Sequence, residues 1–448
     1  MPPSASRPRL PLALAALAAL AAACSDSTGP TPGVTKYVST TPISGNTARA
    51  FYGDTLLDWE HGVFYWADRV DWASHDASVR AQVAAAKTHG QLWDAADASI
   101  DPWLRDAPPD GPDYHSLYFP PSDSPGITDA SPDPRNLASG VTLAAAGQPA
   151  LAYLWLPGFA GKSINGRVDS IQTVIRTLDQ SSPCGWVLDL RRNLGGYTDA
   201  MIAGINPIFG NAPASRTLPG YGGDVDRENG RVLWFVNNGT AGVYDPDADR
   251  TYPFAKASNP YTLKRPGSPV AVLTGPTTAS ASEAITIGFR GNTAVPSRTF
   301  GEPTYGVTTG PFGIYLLPDS GYLNITATIM FDRTGHLYGG KIQPDELVTG
   351  GPQYETLTPT PSASDPVIAA ASAWLRQQPA CTGASTAAAR LNPSREPASA
   401  PATAVALPGV VRPLRPERFR PQVHAVPRQL VEHQRVEHPR AERRLAGR

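Results

Sequence analysis

The chain has 448 residues, with 41 Gly, 47 Pro, 41% apolar and 17% charged residues. Gly and Pro at that density interrupt helices too often for a long coiled coil or an all-helical solenoid, while the length and apolar content suffice for a sizeable core and more than one domain. The net charge of −1 averages two unlike pieces: residues 24–381 carry 24 bases against 34 acids, whereas twelve Arg, no Lys and five Glu follow residue 381. A body near −10 argues against a nucleic-acid partner, which would normally meet a basic face.

Residues 1–23 place Arg7 and Arg9 before an apolar run from Leu10 to Ala23 and then Cys24. That order is an export signal, too short to remain as a spanning helix. Ala21-Ala22-Ala23 directly before Cys24 is similar to a bacterial lipoprotein signal, departing from it by Ala in place of Leu at the third position before the Cys. The similarity implies a lipid on Cys24, an exported protein anchored to the cell envelope, and, with Ser25 rather than Asp next, sorting to an outer membrane facing the periplasm. Ordinary secretion is the plainer reading.

Residues 24–50 are rich in Ser, Thr, Pro and Gly and read as a flexible tether. From 51 to 111 the recurrence of Leu56, Leu57, Trp59, Val63, Phe64 and Trp66, continued over 73–89 and 92–104, predicts a small helical domain closed by Pro108, Pro109, Gly111 and Pro112. A Pro- and Asp-rich loop spans 120–136. Strands are predicted at 150–156, 185–190 and 269–274, and helices at about 165–179, 198–209 and 280–290. Val232–Val236, the turn Asn237-Asn238-Gly239 and Val243-Tyr244 predict an inserted β-hairpin. Strands alternating with helices over 112–375 make the core α/β. Residues 382–448, dominated by Ala, Pro and Arg without apolar period, read as a disordered tail. A reading-frame error and a basic tail that touches lipid or cell wall are the other readings. Cys184 and Cys381 either pair or remain inert thiols; their positions alone do not decide it.

Two strand-loop-helix units hold the candidate chemistry. Leu188-Asp-Leu-Arg-Arg-Asn-Leu-Gly-Gly196 ends a buried strand in paired glycines, which let backbone N–H groups approach a ligand. Thr277-Thr-Ala-Ser-Ala-Ser-Glu283 puts the Ser280 hydroxyl at a helix start, beside unpaired amides and the positive end of the dipole. Taken singly, paired glycines are ordinary turn residues and a Ser opening a helix is an ordinary cap.

Together, and with Gly301-Glu-Pro-Thr-Tyr-Gly306 and Ile342-Gln-Pro-Asp345 in order, these motifs resemble the tail-specific, or C-terminal processing, serine peptidase family over about residues 51–375. The resemblance implies a crotonase-like core, Ser280 as nucleophile, and an oxyanion hole from the N–H of Ala281 with that of Gly195 or Gly196. The best-known branch places a catalytic Lys after its Thr-x-Gly motif, where this chain has Val307. Asp113-Tyr-His115-Ser116 is instead similar to the Asp-x-His-Ser motif of the tricorn-like, interphotoreceptor-retinoid-binding-like and nisin-resistance-type branch, which implies His115 as base. Asp113, Ser116 and Glu283 are candidates for a third group orienting the imidazole. About 35 residues separate His115 from the next strand, too few for the PDZ domain of many relatives.

The expectation is a serine peptidase acting on exported proteins or peptides, held to a membrane by its N-terminal lipid, with no cofactor, no metal and no nucleic-acid partner. A non-catalytic peptide- or lipid-binding module on the same fold is the alternative. An acyl-CoA enzyme of crotonase type conflicts with the export signal, because CoA is cytosolic. Asp245-Pro-Asp-Ala-Asp249 lacks the Gly and distal Glu of a calcium loop and reads as a solvated turn.

Overall fold

A computed structural model describes residues 39–383 apart from 121–136, 160–162, 312–314, 317–321 and 363. The export signal, Cys24, most of the tether, the Pro- and Asp-rich loop after Pro120 and the tail from 384 lie outside the described residues. The chain divides into two compact units: one reaches Gly62 and resumes over Ala67–Ala107, and the other comprises Val63–Trp66 and the residues from Pro108 onward. Among the described residues no helix is long and apolar enough to cross a membrane.

The first unit is helical. A turn at Thr47–Ala50, inside the segment read as tether, runs through a π-helical turn at Phe51–Thr55 into α1, Leu56–Val63. Trp72–Ala85 forms α2 and His89–Ile100 forms α3. Asp71 caps α2 by accepting the Ser74 N–H, and Thr88 with Gln91 forms a capping box on α3. Leu56, Leu57, Val79, Val83, Leu92, Ala95 and Ala96 are among its buried apolar residues. At helical spacing each such row forms one face of its helix, which is why the periodicity was readable.

The second unit contains three sheets. β1 (Leu117–Phe119) belongs to a small antiparallel sheet with β12 (Tyr315–Leu316) and β13 (Tyr322–Asn324). β2 (Ser139–Leu143), β3 (Leu151–Trp155), β4 (Trp186–Asp189), β9 (Val270–Thr274), β10 (Ser297–Gly301) and β15 (Glu346–Leu347) form a six-stranded sheet, ordered β15-β10-β9-β4-β3-β2. It is parallel except for β2 at one edge. The remaining six strands are antiparallel and ordered β11-β14-β5-β6-β7-β8: β5 (Gly222–Asp226), β6 (Arg231–Asn237), β7 (Thr240–Asp245), β8 (Arg250–Lys256), β11 (Thr309–Pro311) and β14 (Thr326–Asp332). The expected hairpin is the β6–β7 pair of this larger sheet.

The parallel sheet is buried on both faces, and strand parity sorts its side chains. Ala152, Leu154, Trp186, Leu188, Val270 and Val272 join one core with Val168, Ile171 and Ile175 of α4 (Ile164–Leu178) and Met201, Ile202 and Ile205 of α5 (Thr198–Phe209). The alternate residues Tyr153, Trp155, Val187, Ala271 and Leu273 join a second core with Val367, Ala371 and Leu375 of the helix Pro366–Gln377. Cys184, just before β4, is bonded to Cys381, just after that helix, in a disulfide bridging a sequence separation of 197 residues. The pairing left open by the sequence is therefore made.

Candidate active site

β4 and β9 are adjacent and parallel, with Leu188 opposite Val272 and Asp189 opposite Leu273. The loops leaving their carboxyl ends, 190–197 and 275–280, are therefore neighbours, the place where open α/β sheets form ligand crevices. Ala279 N–H donates to Asn193 O at 3.0 Å, Ser282 Oγ to the same carbonyl at 2.6 Å, and Thr278 Oγ1 to Leu190 O at 2.9 Å. Below them Arg191 is buried between two carboxylates, 2.7 Å from Asp189 and 2.8 Å from Asp365, and Tyr153 OH donates to Asp189 at 2.8 Å. Burial pushes this guanidinium's pKa down, but the two carboxylates more than offset it and leave it raised. The Asp-Leu-Arg stretch thus fixes the loop from underneath.

Ser280 precedes α6 (Ala281–Phe289) with φ 54° and ψ −117°, a conformation a non-glycine residue adopts only when its surroundings hold it there. The Glu283 carboxylate supplies much of that hold. It accepts the Ser280 N–H at 2.8 Å, the Gly306 N–H at 3.0 Å, the Val307 N–H at 2.8 Å and the Thr304 hydroxyl. Burial raises its pKa to about 7 against the opposing effect of these four donors. Val307, at the position of the other branch's Lys, is itself buried.

His115 comes to the same place from the stretch before β1. Its Nε2 lies 3.0 Å from Ser280 Oγ, and its Nδ1 lies 2.7 Å from Oγ1 of Thr309 on β11. Burial lowers its pKa to about 4, with Asp113 and Thr309 acting in the opposite sense. At neutral pH the ring is neutral, as a proton acceptor must be.

The other candidates lie elsewhere. Asp113 accepts the backbone N–H of His115 at 2.9 Å and the Thr326 hydroxyl at 2.7 Å, and Ser116 Oγ accepts the Thr326 N–H at 3.0 Å. Both tie the loop to β14 and neither meets the imidazole. Thr309 occupies that position; nothing in the sequence marks a Thr 194 residues downstream as a partner for His115. His336 donates its backbone N–H to Asp332 and packs its ring edge-on against Tyr338. His61, His75 and His89 belong to the helical unit.

The paired glycines have distinct places. A Cβ on Gly195 would sit 2.8 Å from Ala279 O and from Ser280 Cβ, and one on Gly196 only 1.9 Å from Phe159 O. Both have positive φ, so side chains are excluded by backbone conformation as well as by space. Gly195 N–H is already given to Asn193 Oδ1 at 2.9 Å. The N–H groups of Gly196 and Ala281 find no partner among the described residues.

The sequence profile of Peptidase family S41 matches residues 150–348, a span that includes both loops, Ser280 and Thr309. Through this segment the chain is similar to peptidase family S41. Over 196 residues it is 26% identical to the nisin-resistance protein of Lactococcus lactis subsp. lactis, covering 43% of this chain and 54% of that protein. The chain thus spans about half the length of this curated relative. A lipoprotein from Streptococcus agalactiae has a similar structure, with TM-score 0.52 and 17% identity, over 75% of this chain and 98% of the other. The photosystem II D1 C-terminal processing protease aligns with TM-score 0.42 and 16% identity, over 67% and 93% of the two chains. His115 lies upstream of the S41 match, so its convergence on Ser280 comes from the fold and not from the matched segment.

Proposed function

We propose that the protein is a serine peptidase with a crotonase-like core, hydrolysing peptide bonds of exported proteins or peptides through an acyl-enzyme on Ser280. The observation that carries this reading is the 3.0 Å contact between Ser280 Oγ and His115 Nε2 in a domain similar to family S41. Ser280 Oγ attacks the scissile carbonyl carbon as its proton passes to Nε2. The carbonyl oxygen, now negative, is received by the unpaired N–H groups of Gly196 and Ala281; one such donor lowers the barrier by about 3 kcal/mol. The imidazolium then protonates the departing amine as the C–N bond breaks, leaving an ester on Ser280. Water, deprotonated by the same ring, cleaves that ester and returns the proton to Oγ. The neutral ring within reach of Ser280 Oγ, beside the open amides, favours the enzyme over a non-catalytic binding module.

Thr309 would act on this sequence as a positioning residue. For Nε2 to accept a proton, Nδ1 must carry one, and Thr309 Oγ1 is placed to accept it. A hydroxyl orients the ring without contributing the negative charge of the usual carboxylate. Thr309→Val should lower kcat by roughly 10- to 100-fold, within the range typical of lost acid–base assistance. It should also shift the acid limb of the kcat/KM profile to lower pH, since losing the acceptor further weakens the imidazolium. Thr309→Ser should restore both; unchanged rate and pH profile in the Val variant would remove Thr309 from the mechanism.

Cys24 would carry the lipid that holds the peptidase to the cell envelope, on the outer membrane facing the periplasm. A lipoprotein among proteins of similar fold and a nisin-resistance protein among its relatives support a place in the cell envelope. Growth with labelled palmitate should label the wild type and leave Cys24→Ala unlabelled and released from membranes; an unlabelled, soluble wild type would mean ordinary secretion. Activity itself is tested by incubating the purified chain with an unstructured protein at neutral pH. Fragments that a fluorophosphonate abolishes are expected, and an intact substrate would refute the peptidase reading.

A further inference from the structure

Far along the sequence from the serine, the helical unit holds a polar cluster that the peptidase chemistry does not use. His61 on α1 and His75 and Asp76 on α2 bring three ligand atoms within 4.8 Å of one another. Asp76 Oδ1 is at the centre, 2.9 Å from His61 Nε2 and 3.0 Å from His75 Nδ1. Ligand atoms around a tetrahedral Zn²⁺, with bonds of about 2.0–2.1 Å, are separated by about 3.3 Å. Two edges of the triangle are therefore already close to that spacing.

The second nitrogen of His75 supplies an independent indication. The ring is fully buried, and Nε2 lies 2.9 Å from the Ser99 carbonyl oxygen, an obligatory acceptor. That contact claims the Nε2 proton, which leaves Nδ1 with a lone pair facing the oxygen of Asp76. Two electron-rich atoms at 3.0 Å require a cation between or beside them: a second proton on the ring, or a metal ion. A ring N–H donated to a backbone carbonyl is the arrangement by which proteins orient a metal-ligating imidazole. Glu60 reinforces it, with a buried Oε2 that has no hydrogen bond and lies 3.4 Å from His75 Nε2. Arg80 binds Asp76 Oδ2 at 3.2 Å, which leaves Oδ1 as the ligand atom.

We infer that His61, His75 and Asp76 form a divalent transition-metal site, best suited to Zn²⁺, that clamps α1 to α2. Two imidazoles and one carboxylate suit zinc, whereas calcium and magnesium require oxygen ligands. The His61 side chain is 38% exposed, so the fourth position opens to solvent and admits water. The sequence hides the site because its ligands are fourteen residues apart on two helices and match no compact metal motif.

The test is calorimetric titration of the full-length chain, stripped with chelator, with ZnCl₂. One ion per chain is expected, with Co²⁺ giving the visible bands of a four-coordinate site. His61→Ala and Asp76→Asn should each weaken binding by at least about tenfold. His61 is the exposed ligand, so its variant should keep the wild-type circular dichroism and report on the metal alone. No Zn²⁺ binding by the wild type, or binding that survives both substitutions, would overturn the site.

Discussion

Ser280→Ala is expected to abolish hydrolysis of an unstructured protein, a loss on the order of 10⁶-fold in kcat by comparison with serine peptidases lacking their nucleophile. The melting temperature should barely move. The Ser280 side chain contacts His115, whereas the strained backbone is held by Glu283 through the main-chain N–H, which alanine retains. Single-turnover assays with a circular dichroism melt on the same preparation separate the two effects. Wild-type turnover by the variant would remove Ser280 from the chemistry.

His115→Ala should lower turnover by about a thousandfold or more, because the Ser280 proton loses its acceptor. The pH dependence of the wild type carries more information. Activity requires the neutral ring, and burial has lowered the pKa to about 4, so activity should persist below the ordinary histidine range and fall only as pH drops through about 4. The stability linkage has the same sign: the unfolded chain takes up the proton more readily near the ordinary value of 6.5, so the native state loses stability as pH falls from there toward 4. His336→Ala should cost little, since its backbone and ring serve the Asp332 turn. If Lys341→Ala abolished activity while His115→Ala did not, the Ser-His assignment would fail.

Those two residues were legible in the sequence for different reasons. Ser280 sits in a local pattern, a strand, a turn and a helix start, and a contiguous motif reports it. His115 lies 165 residues away from it and was legible only through resemblance of its immediate neighbours to one branch of the family. Thr309 has no such signature, because its contact with His115 exists only once β11 is laid beside β14 and the loop of His115 reaches it. Glu283 read as a candidate to orient the imidazole, whereas its reach to Gly306 and Val307 depends on a loop more than twenty residues later.

The parallel strands β3, β4 and β9 were readable as short apolar runs, since burial on both faces removes alternation. β14 was not, although every one of its residues is buried. Thr326 and Thr328 interrupt its apolar pattern, and their hydroxyls are satisfied inside the fold by Asp113 and Asp224. Burial of a polar side chain with its partner leaves no trace in hydropathy. Which of Gly195 and Gly196 keeps an open amide was likewise invisible, because the Gly195 N–H is taken by the Asn193 side chain.

The central claim is that Ser280 is a nucleophile activated by His115, and a fluorophosphonate tests it most directly. After reaction at neutral pH the wild type should carry one phosphonyl group, located at Ser280 by peptide mass spectrometry. Ser280→Ala should take up none and His115→Ala far less. Equal labelling of wild type and Ser280→Ala, or a wild type that stays unmodified under conditions that label an authentic serine peptidase, would contradict the account.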